Sequence, residues 1–291
     1  TEDAMDRTLS KNEAKIVLDL EWRGQKTVTL EDLRAALGAS GGYARYLAHQ
    51  LVRKGWLERL RPGLFQLIPA DRGRDAVADT NPLLAGAALV RPYFFSFGTA
   101  CTHHGLTEQA FAEVYLACRQ RRRAEQIRGT RYVFAFVREK RFFGFDQTSV
   151  LGATVRMATP ERALLDALDR PRYAGGLGEV SRMVGRSMPK LSSERVAEML
   201  ERWGESALAQ RLGYLADLHG TELQPSVRGA IERLVRPSNK VLLGPRRRWG
   251  TSGTLVRPWN IVENVPRDVL LEKGEPRRRR VKLDLEPRRD R

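Results

Sequence analysis

TVTLEDLRAALGASGGYARYLAHQLVRKGWLERLRPGLFQLI, residues 27–68, is the stretch whose reading decides the fold. Thr29 stands ahead of an apolar-periodic segment with Asp32 three residues on. Val28 and Leu33 flank it as a hydrophobic staple would, so the pattern predicts a helix starting at Leu30. Gly38 supplies its stop. After a turn through Ala39 and Ser40, Ala44, Leu47, Ala48 and Leu51 recur at helical spacing up to Gly55, which predicts a second helix. The period then changes. Trp56–Leu60 and Leu64–Ile68 read as two short strands joined by Arg61-Pro62-Gly63, whose Pro and Gly suit a reverse turn. Ser10-Lys11-Asn12-Glu13 is a capping box ahead of Ala14, Val17, Leu18 and Trp22, so one more helix precedes the stretch. Helix, helix, tight turn, helix, hairpin is the winged helix-turn-helix plan.

Burying Ala44, Leu47, Ala48 and Leu51 leaves Tyr43, Arg45, Tyr46, His49, Gln50 and Arg53 on the other faces of the helix that follows the tight turn. These residue types match what a helix in the major groove needs, since Arg and Gln can pair with the edges of G and A. Lys54, Arg59 and Arg61 would then flank the groove and neutralise phosphates. Between Ser40 and Gly63 five Lys or Arg stand against one acid, Glu58, whereas residues 1–80 as a whole carry thirteen against twelve. A winged helix that binds proteins, with the same cations merely solvated, is the alternative reading.

At 291 residues, 42% hydrophobic and 30% charged, the chain is long enough for two globular domains. No run approaches the ~18 apolar residues of a membrane span. The first ten residues lack the apolar core of a signal peptide, and the two cysteines, Cys101 and Cys118, match no metal spacing and are too few for a disulfide scaffold. A cytoplasmic protein without metal or other cofactor is expected. The net charge of +16 implies a polyanionic partner, nucleic acid first and an acidic protein surface second. Most of the excess lies outside the winged helix: +1 over residues 1–80, +5 over 81–170, +1 over 171–220, +5 over 221–271 and +4 over 272–291.

These shifts suggest a winged-helix domain at 1–72, a linker at 73–80, a larger mixed α/β domain at 81–271 and a basic tail at 272–291, α+β overall. Leu83–Leu106 is mostly apolar and reads as a buried helix interrupted by Pro92, then another helix from Gly98. His103 and His104 are adjacent, about 100 degrees apart on a helix, and so are poorly placed to share a metal. Val114–Ala117, Tyr132–Val137 and Val150–Val155 have the composition of strands. The Arg-rich region from 119 to 141 holds Arg121, Arg122, Arg123 and Arg128, either a solvated rim or a second nucleic-acid surface. Thr159-Pro160-Glu161 opens a helix with a capping Thr and Pro at the first helical position. Glu161 and Asp166 on it have no further carboxylate cluster or suitably spaced Lys to make a nuclease site. Leu177–Val184, Ser193–Trp203 and Ser206–His219 read as helices. Lys240–Leu243, Gly253–Arg257 and Asn260–Val262 read as strands of a final sheet. Between two of these lies Arg246-Arg247-Arg248-Trp249, where the Trp could stack on a base or anchor a loop.

LVRKGWLERLRPGLFQL (51–67), SFGTACTHHGLTEQ (96–109), ATPERALLDALDRP (158–171) and RPWNIVENVP (257–266), in this order, resemble the AbiEi-type antitoxins, from about Asn12 to Pro266. The resemblance implies a winged helix that represses its own operon at inverted repeats and a C-terminal domain that counters a nucleotidyltransferase-like toxin of a type IV pair. It places DNA contacts on Gly41–Lys54 and around Arg61, and assigns no catalytic residues and no cofactor. Two copies would occupy one inverted repeat, whatever the state in solution. Two other readings remain open at this point: a winged-helix regulator without a toxin, and an RNA-binding protein that uses the basic C-terminal half. An enzyme acting on nucleic acid, with His104, Glu161 or Asp166 in its site, is the least supported.

Overall fold

The computed structural model describes residues 7–70, 81–236 and 238–271. The expected linker (73–80) and basic tail (272–291) lie outside these residues. The first body comprises α1 (Lys11–Trp22), β1 (Thr27–Thr29), α2 (Leu30–Leu37), α3 (Gly41–Arg53), β2 (Leu57–Arg61) and β3 (Leu64–Leu67). The capping box of α1 closes with the Glu13 carboxylate accepting from the Ser10 N–H at 2.7 Å. That of α2 closes with the Thr29 hydroxyl accepting from the Asp32 N–H at 3.1 Å and Asp32 accepting from the Thr29 N–H at 2.8 Å. Gly38 ends α2 at φ 58°, a conformation that favours glycine. The three-stranded antiparallel sheet has the order β1-β3-β2. β1 was not anticipated: it is three residues long, too short to show alternation, yet it pairs with β3 and carries the buried Val28. Ile16, Val17 and Leu20 of α1 meet Leu33, Leu47 and Leu51 in one apolar cluster with Trp56, Leu57, Phe65 and Leu67. Truncating a leucine buried as completely as Leu51 costs about 2–5 kcal/mol.

The second body is built on a six-stranded mixed sheet of order β6-β7-β5-β4-β9-β8. Its strands are β4 (Tyr93–Phe95), β5 (Glu113–Cys118), β6 (Glu125–Ile127), β7 (Thr130–Phe136), β8 (Phe145–Val150) and β9 (Ala153–Ala158). Here two expectations are corrected. The apolar run from Leu83 is not one interrupted helix: a short α4 (Pro82–Ala87), capped by Asn81, gives way to the central strand β4, and α5 (Phe97–His103) follows. Phe94 and Phe95 are fully buried, so β4 lacks the alternation by which half-buried strands are recognised. Val150–Val155 is not one strand but the turn of a hairpin, with Leu151 and Gly152 at positive φ between β8 and β9.

α6 (Pro160–Asp169) begins as expected, with the Thr159 side chain accepting from the Arg162 N–H. Ala163, Leu164, Leu165, Ala167 and Leu168 are all at most 1% exposed, making α6 the centre of the larger core. Around it lie α7 (Leu177–Ser187), α8 (Ser193–Trp203), α9 (Ser206–Leu218) and α10 (Pro225–Leu234). α10 was not anticipated; Gln224 at its start makes no side-chain cap and Gly229 interrupts its pattern. β10 (Val241–Leu242), α11 (Arg246–Trp249), β11 (Thr254–Val256), β12 (Ile261–Glu263) and α12 (Arg267–Leu271) complete the described chain, the three strands forming the expected final sheet in the order β10-β12-β11. Trp259 locks this sheet to α9: its indole N–H donates to Asp217 at 2.6 Å, and a Cβ on Gly213 would lie 2.4 Å from its ring. No helix among the described residues is long and apolar enough to cross a membrane.

The two bodies touch through the wing. Leu64 of β3 belongs to the larger core and Leu60 packs against it. Polar contacts border this apolar patch: Arg61 with Glu125 at 3.3 Å, Arg128 with Glu58, and Arg128 with the Gln66 side-chain oxygen at 3.4 Å.

Candidate nucleic-acid interface

Ser40 caps α3, its hydroxyl accepting from the Tyr43 N–H, and the buried positions 44, 47, 48 and 51 fix which way the helix turns. Tyr43, Arg45, Tyr46, His49 and Arg53 are consequently exposed, and Gln50 is half-buried. The Tyr43 and Tyr46 rings lie 6.2 Å apart, and the Tyr43 hydroxyl accepts from the Asn12 amide of α1 at 3.0 Å. The Gln50 side-chain oxygen accepts from Arg53 at 2.8 Å, which fixes both side chains. Arg45, Arg53 and the exposed Arg59 on edge strand β2 have no carboxylate partner among the described residues. Arg45, Arg53, Tyr43 and Tyr46 give the exposed part of α3 a cationic, aromatic-bearing character.

Two residues expected at this surface are committed elsewhere. Lys54 is half-buried and its ammonium pairs with Glu13 of α1 at 2.6 Å. Glu13 is only 3% exposed; burial pushes its carboxyl up, but bonds from Lys54 and Ser10 outweigh this and hold it below the usual range. Lys54 therefore balances a buried charge instead of projecting toward a groove. Arg61, expected to flank the groove and neutralise phosphate, pairs with Glu125 of β6. The wing is packed against the larger body at this point.

The Arg-rich segment is likewise less available than its composition implies. Arg122 pairs with Glu125 and stacks 4.8 Å over Phe134, Arg121 lies 5.0 Å over Phe136, and Arg128 pairs with Glu58. Arg123 is exposed and forms no ion pair among the described residues. Arg246, Arg247 and Arg248 are exposed on α11, beside the other sheet. Trp249 is the anchor of that loop: a Cβ on Gly244 would lie 2.7 Å from its ring, and Arg248 covers its face at 5.0 Å.

The residues weighed for catalysis are each bonded to neighbouring groups of the fold. Asp166 accepts from Arg162 at 2.8 and 3.0 Å and from the Ser96 hydroxyl at 2.6 Å. Arg162 is fully buried, also donates to the Phe143 carbonyl, and lies 4.4 Å from the Trp203 ring. Glu161 accepts from the Ser192 N–H at 3.3 Å, and the His104 ring nitrogen bonds the Ala158 carbonyl at 2.7 Å. Cys101 and Cys118 are buried free thiols, both pushed up by burial. Among the described residues no three His, Cys, Asp or Glu side chains come together as a metal site requires.

Comparison with known proteins follows the same division. A family model described as "Transcriptional regulator, AbiEi antitoxin" matches residues 15–68, and one described as "AbiEi antitoxin C-terminal domain" matches residues 93–218. No curated protein matches the sequence. Among solved structures, the RV2827C protein from Mycobacterium tuberculosis superposes with a TM-score of 0.55 over 88% of this chain and 92% of that one, at 17% identity, a likeness of fold. With the regulator model on the winged helix and the C-terminal model on the six-stranded sheet and its helices, in that order and over more than half of the chain, the protein belongs to the AbiEi antitoxin family.

Proposed function

We propose that this protein represses its own operon and acts as the antitoxin of a type IV pair, with α3 entering the major groove of inverted repeats in its promoter. Residues 1–72 are the DNA reader in this reading. Residues 81–271 counter a nucleotidyltransferase-like toxin, by contact or indirectly, and 272–291 add non-specific affinity. The observation that carries it is the exposed face of α3, where Arg45, Tyr46 and His49 face solvent with Gln50 and Arg53 bonded to one another beside them. Arg45 and Gln50 suit base edges, and Arg53, Arg59 and Arg123 suit phosphates. Lys54, Arg61 and Arg128 serve the internal contacts described above. Two copies on one inverted repeat account for the operator's symmetry.

A gel shift with DNA from directly upstream of the gene, beside an unrelated duplex of equal length at two salt concentrations, tests the reader. Preference for the upstream DNA that survives the higher salt is expected. Equal binding that vanishes with salt would leave only the net charge at work and refute a sequence-reading α3. Rescue of growth on co-expression with the neighbouring gene's product tests the antitoxin half; its failure would leave a winged-helix regulator without a toxin.

A further inference from the structure

Between the first body and the larger sheet lies a cleft of about 640 Å³ whose charged lining is entirely cationic. Arg23 and Lys26 reach it from the turn between α1 and β1, Arg91 from the loop before β4, and Arg156 from β9, while Tyr93 and Gln147 add polar groups. No Asp or Glu lines it. Arg23 is balanced by Asp19 at 2.9 Å. Lys26, Arg91 and Arg156 form no salt bridge among the described residues, whereas Arg61, Arg122 and Arg128 along the neighbouring seam each have a carboxylate. Three uncompensated like charges around one concave surface raise the local potential and favour an anion.

The shape narrows the class of anion. Small-molecule sites run to about 300–1,000 Å³, and a cleft of this size cannot admit a duplex. Leu84, Ala87 and Pro92 give it an apolar floor. One end is closed where the turn carrying Gly24 meets the β8–β9 turn: a Cβ on Gly24 would lie 3.0 Å from the Gly152 carbonyl oxygen. Two guanidinium forks and an ammonium match phosphate oxygens, for which Arg supplies paired donors. The Tyr93 hydroxyl, pushed up by burial, remains a neutral donor beside them.

We propose that this cleft binds a small organic polyphosphate of nucleotide size, its phosphates held by Lys26, Arg91 and Arg156 and its uncharged part on the apolar floor. Since the cations come from both bodies, such a ligand fixes the orientation of the DNA reader on the larger domain.

Isothermal titration of the full chain with ATP, inorganic pyrophosphate and adenosine tests this. ATP and pyrophosphate should bind, ATP more tightly, and adenosine should give no heat. The double variant Arg91→Gln, Arg156→Gln should lower ATP affinity by roughly tenfold per residue, as expected for lost charge-assisted bonds. Its circular dichroism and its affinity for promoter DNA should be unchanged. Lys26→Gln is the second variant should the double one fold poorly. Arg45→Ala, on α3, should bind ATP as the parent does. The proposal is overturned if neither phosphate compound binds, if the cleft variants bind ATP normally, or if Arg45→Ala abolishes binding and so locates the anion on α3. It is also overturned if a short single-stranded oligonucleotide displaces ATP at equal phosphate concentration, which would assign the cleft to nucleic acid.

Discussion

Replacing Lys54 by Gln separates a phosphate contact from a structural ion pair, because the two roles move different observables. A cation on phosphate contributes about −0.9 to the slope of log affinity against log salt. Lys54 instead sits 2.6 Å from Glu13, whose side chain is 3% exposed against 22% for Lys54, so the substitution leaves a buried carboxylate without its cation. That should cost about 2–3 kcal/mol of folding stability, more than an exposed pair would. The slope, measured by fluorescence anisotropy with promoter DNA between about 50 and about 200 mM salt, should not change. Acid supplies an independent check. Glu13 is held below its ordinary 4.5, so its contribution to stability is complete above that value and is lost as pH falls through the folded one. In Lys54→Gln burial is no longer offset by the ammonium. The stability difference between parent and variant, read by urea denaturation, should therefore be largest near neutral pH and shrink below about pH 4.5. A slope reduced by about 0.9 with unchanged stability would mean that the pair opens on DNA, and would refute the assignment.

Arg45→Ala or Gln50→Ala should relax sequence preference, each at about 1–3 kcal/mol in competition against single-base operator variants; Arg59→Ala should instead weaken all sequences alike and reduce the salt slope by about 0.9. At the seam, Arg61→Ala and Glu125→Ala each break the Arg61–Glu125 pair, the second also leaving Arg122 without its carboxylate. A double-mutant cycle by urea denaturation should give a coupling of no more than about 1 kcal/mol, since both groups are partly exposed. Arg162→Ala removes the cation paired with the buried Asp166 and should destabilise the larger body by about 3–5 kcal/mol, with the loss read in thermal or urea unfolding. In Gly213→Ala the new methyl must displace the Trp259 ring, at a cost of about 1–3 kcal/mol seen by the same measurement.

Which of these residues the sequence could identify depended on how local their determinants are. The cap at Thr29, the stop at Gly38 and the apolar face of α3 are each set within a few neighbouring residues, and all were legible, whereas Ser40 read only as part of a turn. So was the opening of α6 at Thr159-Pro160. β4 was not, because a strand covered on both faces has no polar alternation, and its Phe94 and Phe95 look like any buried run. α10 starts without a capping side chain, and β1 is a strand only because β3 lies beside it.

The interface residues show the same limit in terms of charge. Glu58 is the lone acid in the basic stretch from Ser40 to Gly63, and Glu125 is one of two acids in the Arg-rich region from 119 to 141. Taken segment by segment, both looked incidental to strongly positive surfaces. In three dimensions each lies against the other segment, Glu58 meeting Arg128 and Glu125 meeting Arg61, while Glu125 also pairs with Arg122 of its own segment. The cross-segment pairing removes two of the cations, Arg61 and Arg128, that a segment-wise count assigns to nucleic acid. Lys54 leaves by a similar route, through Glu13, forty-one residues away. A local excess of Lys and Arg thus measures the number of cations near a site only when the acids that could face them are also local. On α3 this condition holds, since its N-terminal turns carry Arg45 and no acid, and the exposed helix face retains the cationic character read from the chain.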